Sequence, residues 1–508
     1  MLEKWLSHCR ENHPKCSKDA SQPLPTRVID VKDDGSVLSL LLTNGQRGQY
    51  ITLSHCWGSS PLLSTTTANI RKHLAEISID ELPRNFQDAV TVTRRLGFRY
   101  LWIDSLCIIQ DSELDWVQES ARMGAIYANA FCTIAASSAV GGNCGFLLPK
   151  SRLEISSYEG TSQPSSNLAG SSPPWHCHIN SPTALTYESP DMFEKGIRSM
   201  PLNRRAWALQ ERILSSRIIH FVQNQVLWEC ATHVATEFDY IQAETLHGTS
   251  LGFTRSEDHY TTMKTFPLVS YLEWYNILMD YTSRALTYRS DRLPAIWALA
   301  QDIQIRLGGA YVAGLFKEDL IRGMLFSRTV PSPRSTNPSD DAPSWSWASL
   351  EGPVKWELEI VTPKVAPVAQ VIGLHVVEKA SQRPMGRTLR AAVTLSACMG
   401  SVMSVPPNAV DFKTGITPPR RVIIDGEAVG WLSFDHDLED FEKTEETLCI
   451  QLAHELPRGL RAYGILVTPT GHAENEYRRV GSYERFFDYD EPGARLIDTA
   501  ERQTLVII

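Results

Sequence analysis

Long apolar runs, a basic excess and paired cysteines are all missing from this chain of 508 residues. No stretch approaches the ~18–20 apolar residues that cross a bilayer, so a membrane protein is not expected. Lys and Arg total 49 against 58 Asp and Glu, a net charge of −9. That balance argues against broad electrostatic binding of nucleic acid, which needs a basic stripe. Ten cysteines without a CxxC pair do not make a disulfide scaffold. Several sit in apolar runs, as Cys107 does in LWIDSLCIIQ, which fits reduced, buried thiols in a cytoplasmic protein. The N-terminal MLEKWLSHCRENH is broken by charges and does not read as a secretory signal. The usual catalytic fingerprints are also missing: GxxxxGK[ST], GxGxxG, HExxH, GxSxG and an EF-hand loop. We therefore assign no cofactor and no metal from the sequence.

What is there reads as globular. The chain is 43% hydrophobic and 21% charged, with room for about two to four domains. Residues 1–27 read as a polar helix and a Pro-punctuated connector. Within them Cys9, His13 and Cys16 form C-x3-H-x2-C, but a zinc site needs four ligands and none follows nearby. His8, next to Cys9, cannot easily share its site.

Residues 28–230 alternate strand and helix. VIDV, VLSLLLTNG with its Asn44-Gly45 turn, and QYITLSHCWG read as strands. Phe86, Ala89, Val90, Thr93 and Leu96 share a helical face that stops at Gly97. RYLWIDSLCIIQ is near-continuously apolar, as suits a strand covered on both faces. Ser112 and Asp115 then form a capping-box-like start to another helix, and FCTIAASSA is a further strand. This order predicts an α/β domain with a mostly parallel sheet, ITLSH and YLWIDSL lying side by side. A Ser/Pro-rich insertion interrupts it near 150–200. A helical region over 231–330, a linker at 331–343 and a β-rich region over 344–508 follow.

Four polar-aromatic clusters stand at predicted element ends: Ser54-His55-Cys56-Trp57-Gly58, Trp102-Ile103-Asp104, Trp116-Val117-Gln118-Glu119, and Arg204-Arg205-Ala206-Trp207-x-x-Gln210-Glu211. Ligands of open parallel sheets bind beyond the carboxyl ends of strands, where Ser54, Trp57 and Gly58 would lie. Asp104 near a buried strand end is either paired, as with an arginine of the 204–205 block, or functional. Glu119 falls on the apolar stripe of its own helix, between Trp116 and Met123, so it is either partnered or lines a cleft. Arg204 and Arg205 have the fork that suits phosphate, and also the charge that suits Asp104 or Glu211. His55 and Cys56, adjacent on a strand, point to opposite faces and make a poor nucleophile pair.

Taken together the clusters resemble the fungal heterokaryon-incompatibility (HET) domain. The matching runs are YITLSHCWG, LPRNFQDAVTVTRRLGFRYLWIDSLCIIQD, DWVQESARMGAIYANAFCTIAAS and LNRRAWALQERILSSR. The resemblance implies a role in fungal nonself recognition, as a trigger or effector of programmed cell death. HET domains have been compared with Toll/interleukin-receptor (TIR) domains, which implies a flavodoxin-like sheet. Some TIR domains hydrolyse NAD with a glutamate on a helix after a tryptophan. Trp116-x-x-Glu119 is similar, one residue closer than the usual TIR spacing. On this reading NAD is a substrate and Glu119 the catalytic residue. Ser54, Trp57, Gly58, Asp104, Arg204 and Arg205 then bind substrate. The alternative is a non-catalytic module that works by self-association or through a protein partner.

Overall fold

The computed structural model describes residues 1–16, 21–31, 37–147, 190–223, 225–237, 271–329, 342–357, 360, 364–377, 390–401, 403–404, 420–424, 427–435, 447–455, 461–486 and 501–508. The predicted insertion near 150–200 and the linker at 331–343 fall mostly outside them.

Helix α1 (Leu2–Asn12) precedes strands β1 (Arg27–Asp30), β2 (Val37–Leu42) and β3 (Tyr50–Ser54). Then come β4 (Ile77–Ser78), α2 (Arg84–Arg95), β5 (Tyr100–Trp102), α3 (Glu113–Asn129) and β6 (Cys132–Ala135). Helices α4 (Pro190–Ser199) and α5 (Trp207–Leu214) lead to β7 (Arg217–Phe221), β8 (Val226–Cys230) and β9 (Val234–Thr236). The nine strands form one sheet, in the order β9-β8-β7-β6-β3-β5-β1-β2-β4.

The architecture is α/β, but the sheet is mixed rather than mostly parallel. β5, β3, β6 and β7 pair in parallel. Antiparallel strands then continue the sheet on both sides, β1-β2-β4 against β5 and β8-β9 against β7. Only three residues, 231–233, separate β8 from β9, too few for the helix that carries a chain across to a parallel neighbour, whereas the Asn44-Gly45 turn, both residues with positive φ, leads from β2 to β3, which do not pair. The expected neighbours are confirmed: Ile51 of β3 pairs with Leu101 of β5. All five residues of β3 and all four of β6 are buried, as strands covered on both faces require.

Beyond the sheet, α6 (Tyr271–Thr282) and α7 (Trp297–Leu307) precede a second, eleven-stranded sheet, largely antiparallel. These helices and that sheet share one core, which joins Trp274, Tyr281, Trp345, Trp347, Ile450 and Leu505. α3 meets α7 at Gly124, where a Cβ would lie 2.1 Å from the Ala298 Cβ, so only glycine lets the helices approach this closely. Among the described residues no helix is long and apolar enough to cross a membrane.

Candidate functional site

Among the parallel strands β3 comes first in the chain, and its neighbours β5 and β6 come second and third. The crossing connections thus part on either side of β3, and the crevice of such a sheet lies at the ends of β3 and β6. Here the two exit loops close on each other. Gly58 has φ +80°, and a Cβ on it would stand 2.9 Å from the Gly141 Cα. The Gly142 amide donates to the Trp57 carbonyl at 3.4 Å. Gly58→Ala meets both an unfavourable backbone region and backbone atoms that cannot yield. We expect a loss of about 2 kcal/mol or more, read as a lowered urea midpoint; an unchanged midpoint would mean that the loops are not in contact.

Beneath these loops several polar groups bond one another, while His55 Nε2, Ser105 Oγ and Gln210 Oε1 are buried with no hydrogen-bond partner among the described residues. The Ser54 hydroxyl donates to the Glu211 carboxylate of α5. Asp104 opens a single helical turn after β5, where it accepts the Ser105 amide at 2.7 Å and the Trp57 indole N–H at 2.9 Å. It takes these donors, with His55 Nδ1 3.9 Å away, rather than either arginine. Arg205 donates to the His55 carbonyl. Burial raises the Glu211 carboxyl, only partly countered by the Arg205 charge and the Ser54 hydrogen bond. Burial pulls His55 down to about 4, so the ring is neutral at pH 7. Its Nε2 is buried, with no hydrogen-bond partner among the described residues. The Cys56 thiol is pushed up by burial, which opposes a thiolate nucleophile.

Glu119 stands apart from this cluster. It is 2% exposed and accepts the Thr26 hydroxyl at 2.7 Å, with Arg122 Nη1 at 3.7 Å. Nearby, Arg27 holds Asp115 at 2.5 Å and the Cys107 carbonyl at 2.6 Å. Burial is the main influence on Glu119 and raises its carboxyl, against the Thr26 hydrogen bond and Arg27. Thr26 and Arg122 also line a groove of about 410 Å³, with Leu24, Thr43 and Tyr50. The helical spacing gave the burial of Glu119, but its hydrogen-bond donor, Thr26, comes from the segment before β1. Arg204 is exposed, and Arg205 half-buried.

A second buried network escaped the sequence reading. Ser137 Oγ lies 3.1 Å from His220 Nδ1, and His220 Nε2 lies 2.9 Å from Glu229 Oε2. Arg212 bonds Glu229 at 2.8 Å and Glu194 at 2.6 Å. The signal was a glutamate, Glu229, inside the otherwise apolar strand VLWEC. The order serine, histidine, glutamate is that of a hydrolase triad, but Ser137 is 0% exposed, and a nucleophile must reach its substrate.

Residues 50–211 match the family model for the heterokaryon incompatibility protein (HET). This is a HET-domain protein. The matched segment contains all seven residues singled out above and runs from β3 to Glu211. The family implies a function of the heterokaryon-incompatibility type. No curated protein and no solved structure matches the chain significantly.

One feature lies outside the matched HET segment. Cys9, His13 and Cys16 meet Cys230, and their ligand atoms all lie within 4.8 Å of one another. The sequence offered three such ligands and no fourth, and on that ground no metal. The fold brings a fourth residue of ligand type to them: it stands at the end of β8, 217 residues from His13, where no spacing rule would seek it.

Proposed function

We propose that the HET domain is a non-catalytic signalling module of fungal nonself recognition. It acts in the cytoplasm and triggers cell death by self-association or through a protein partner. The observation that carries this reading is the sealing of the crevice. Ser54, Trp57 and Asp104 are bonded to Glu211, to each other and to backbone, and Gly58 closes the loop above them. Groups that fix one another in this way hold a surface in shape; they are not poised to receive a substrate. The parallel strands run in the order second, first, third, fourth, which supports the flavodoxin-like likeness. The fifth position departs from it, because antiparallel β8 occupies it.

NAD hydrolysis is the second reading, favoured by one observation: Thr26, which hydrogen-bonds Glu119, and Arg122, which pairs with its charge, both line a groove. On that reading Glu119 would enter the groove when Arg122 moves aside, and its charge would stabilise an oxocarbenium-like transition state.

Induced expression of the full chain in a fungal host tests the module. We expect viability to fall and the protein to migrate in a complex larger than one chain. Full viability, or toxicity from a protein that stays monomeric and unpartnered, would contradict the proposal.

A further inference from the structure

The group formed by Cys9, His13, Cys16 and Cys230 has the composition and size of a structural zinc centre. Three are thiols and one an imidazole, and all four are buried. Zn–S bonds of ~2.3 Å and Zn–N bonds of ~2.0–2.1 Å give a tetrahedron with edges of about 3.8 Å between sulfurs and about 3.6 Å from sulfur to nitrogen. Cys230 Sγ and His13 Nδ1 are 3.6 Å apart. The longest separation, at most 4.8 Å, needs only a small contraction to fit.

The surroundings are those of metal-bound sulfur. The backbone amides of Thr232 and His233 both point at Cys230 Sγ, each at 3.4 Å. The Thr232 hydroxyl lies 3.5 Å from Cys16 Sγ. Such donors orient thiolates and spread their charge. Arg217 makes an independent case. It is fully buried and donates to Cys9 Sγ at 3.4 Å, the Cys16 carbonyl at 2.7 Å and the Phe131 carbonyl at 3.1 Å. Among the described residues no carboxylate forms an ion pair with it. A buried cation needs a counter-charge. Three thiolates around one divalent cation leave a single negative charge, which matches Arg217.

We infer that Cys9, His13, Cys16 and Cys230 bind one zinc ion that clamps α1 and the turn after it onto the β8–β9 hairpin. The ion joins two segments that flank the HET match on either side, so it fastens the β8–β9 end of the sheet to the N-terminal arm. No bond is made or broken beyond metal coordination, and three thiol protons leave to solvent as zinc enters.

The test uses the full chain, purified without a histidine tag from zinc-supplemented cells. Elemental analysis should find one zinc per chain. After chelation, cobalt(II) alone should restore stoichiometric binding, with the intense visible bands of a tetrahedral cobalt thiolate. Cys16→Ser and Cys230→Ser should lose the metal, and Cys144→Ser, at an exposed cysteine, should keep it. Chelated protein should also expose residues 1–16 to protease. Wild-type protein without zinc that also takes up no cobalt would overturn the inference. So would a disulfide between any two of the three cysteines, or full zinc in both Cys16→Ser and Cys230→Ser. Because the wild-type stoichiometry and the cobalt spectrum need no variant, misfolding of a cysteine mutant leaves the result decisive.

Discussion

Arg212→Met should lower the stability of this protein by about 3–5 kcal/mol, the cost of breaking a buried ion pair from one side. Arg212 is 4% exposed and spans two carboxylates, Glu194 of α4 and Glu229 of β8, that are themselves buried. Methionine keeps most of the apolar stem, so the loss is electrostatic rather than a cavity. Glu229 would keep its contact with His220, and Glu194 its bond to the half-buried Arg198 at 2.9 Å. Neither replaces a guanidinium that bonds both acids. Urea denaturation of the two proteins side by side reads the difference. A loss under about 1 kcal/mol would mean that water reaches these carboxylates.

The second large effect is one of pH. His55 titrates near 4 in the folded protein against 6.5 for a free imidazole, because burial disfavours its charge. Between those values the unfolded chain holds a proton that the native ring refuses. Stability is therefore full above pH 6.5 and falls as pH drops toward 4, by about 3 kcal/mol from this residue. Glu211 and Glu119 act in the opposite sense. Their raised carboxyls favour the native state at low pH, and that support is lost as pH rises above the free value of 4.5. The measurement is consequently a difference, wild type minus His55→Asn, in denaturation midpoints from pH 7 to pH 4. The gap should shrink or reverse as pH falls. A constant gap would place His55 in contact with water.

The legible parts of this protein are the local ones. Ser112 caps α3 by accepting the Asp115 amide, as its spacing to Asp115 announced. The stripe that carried Glu119 into the core followed from a period of 3.6 residues. ITLSH and YLWIDSL could be set side by side because both are largely apolar and a helix separates them, but the second strand was read too long: it ends at Trp102, and Asp104–Cys107 is a helical turn. Strand direction at the sheet margins was not legible. VIDV is buried at every residue, and a strand covered on both faces reads the same whether its neighbour runs parallel or antiparallel. Partnerships across long separations were invisible for a related reason. Ser54 and Glu211 are 157 residues apart, and Thr26 and Glu119 are 93. Polar residues in apolar runs show that a partner must exist, but only the fold names it. The same holds for Cys230, whose surroundings turn three scattered ligands into four.

The most direct test of the central claim, that this HET domain signals without consuming a substrate, is the NAD content of fungal cells during induced expression. It is measured together with viability, for wild type and Glu119→Gln. Glutamine keeps the shape of Glu119 and can still meet Thr26, but it lacks the charge that NAD cleavage would need. The account predicts that viability falls while NAD stays constant, and that Glu119→Gln is as toxic as wild type. A fall in NAD that precedes death and disappears in a soluble, folded Glu119→Gln protein would contradict it.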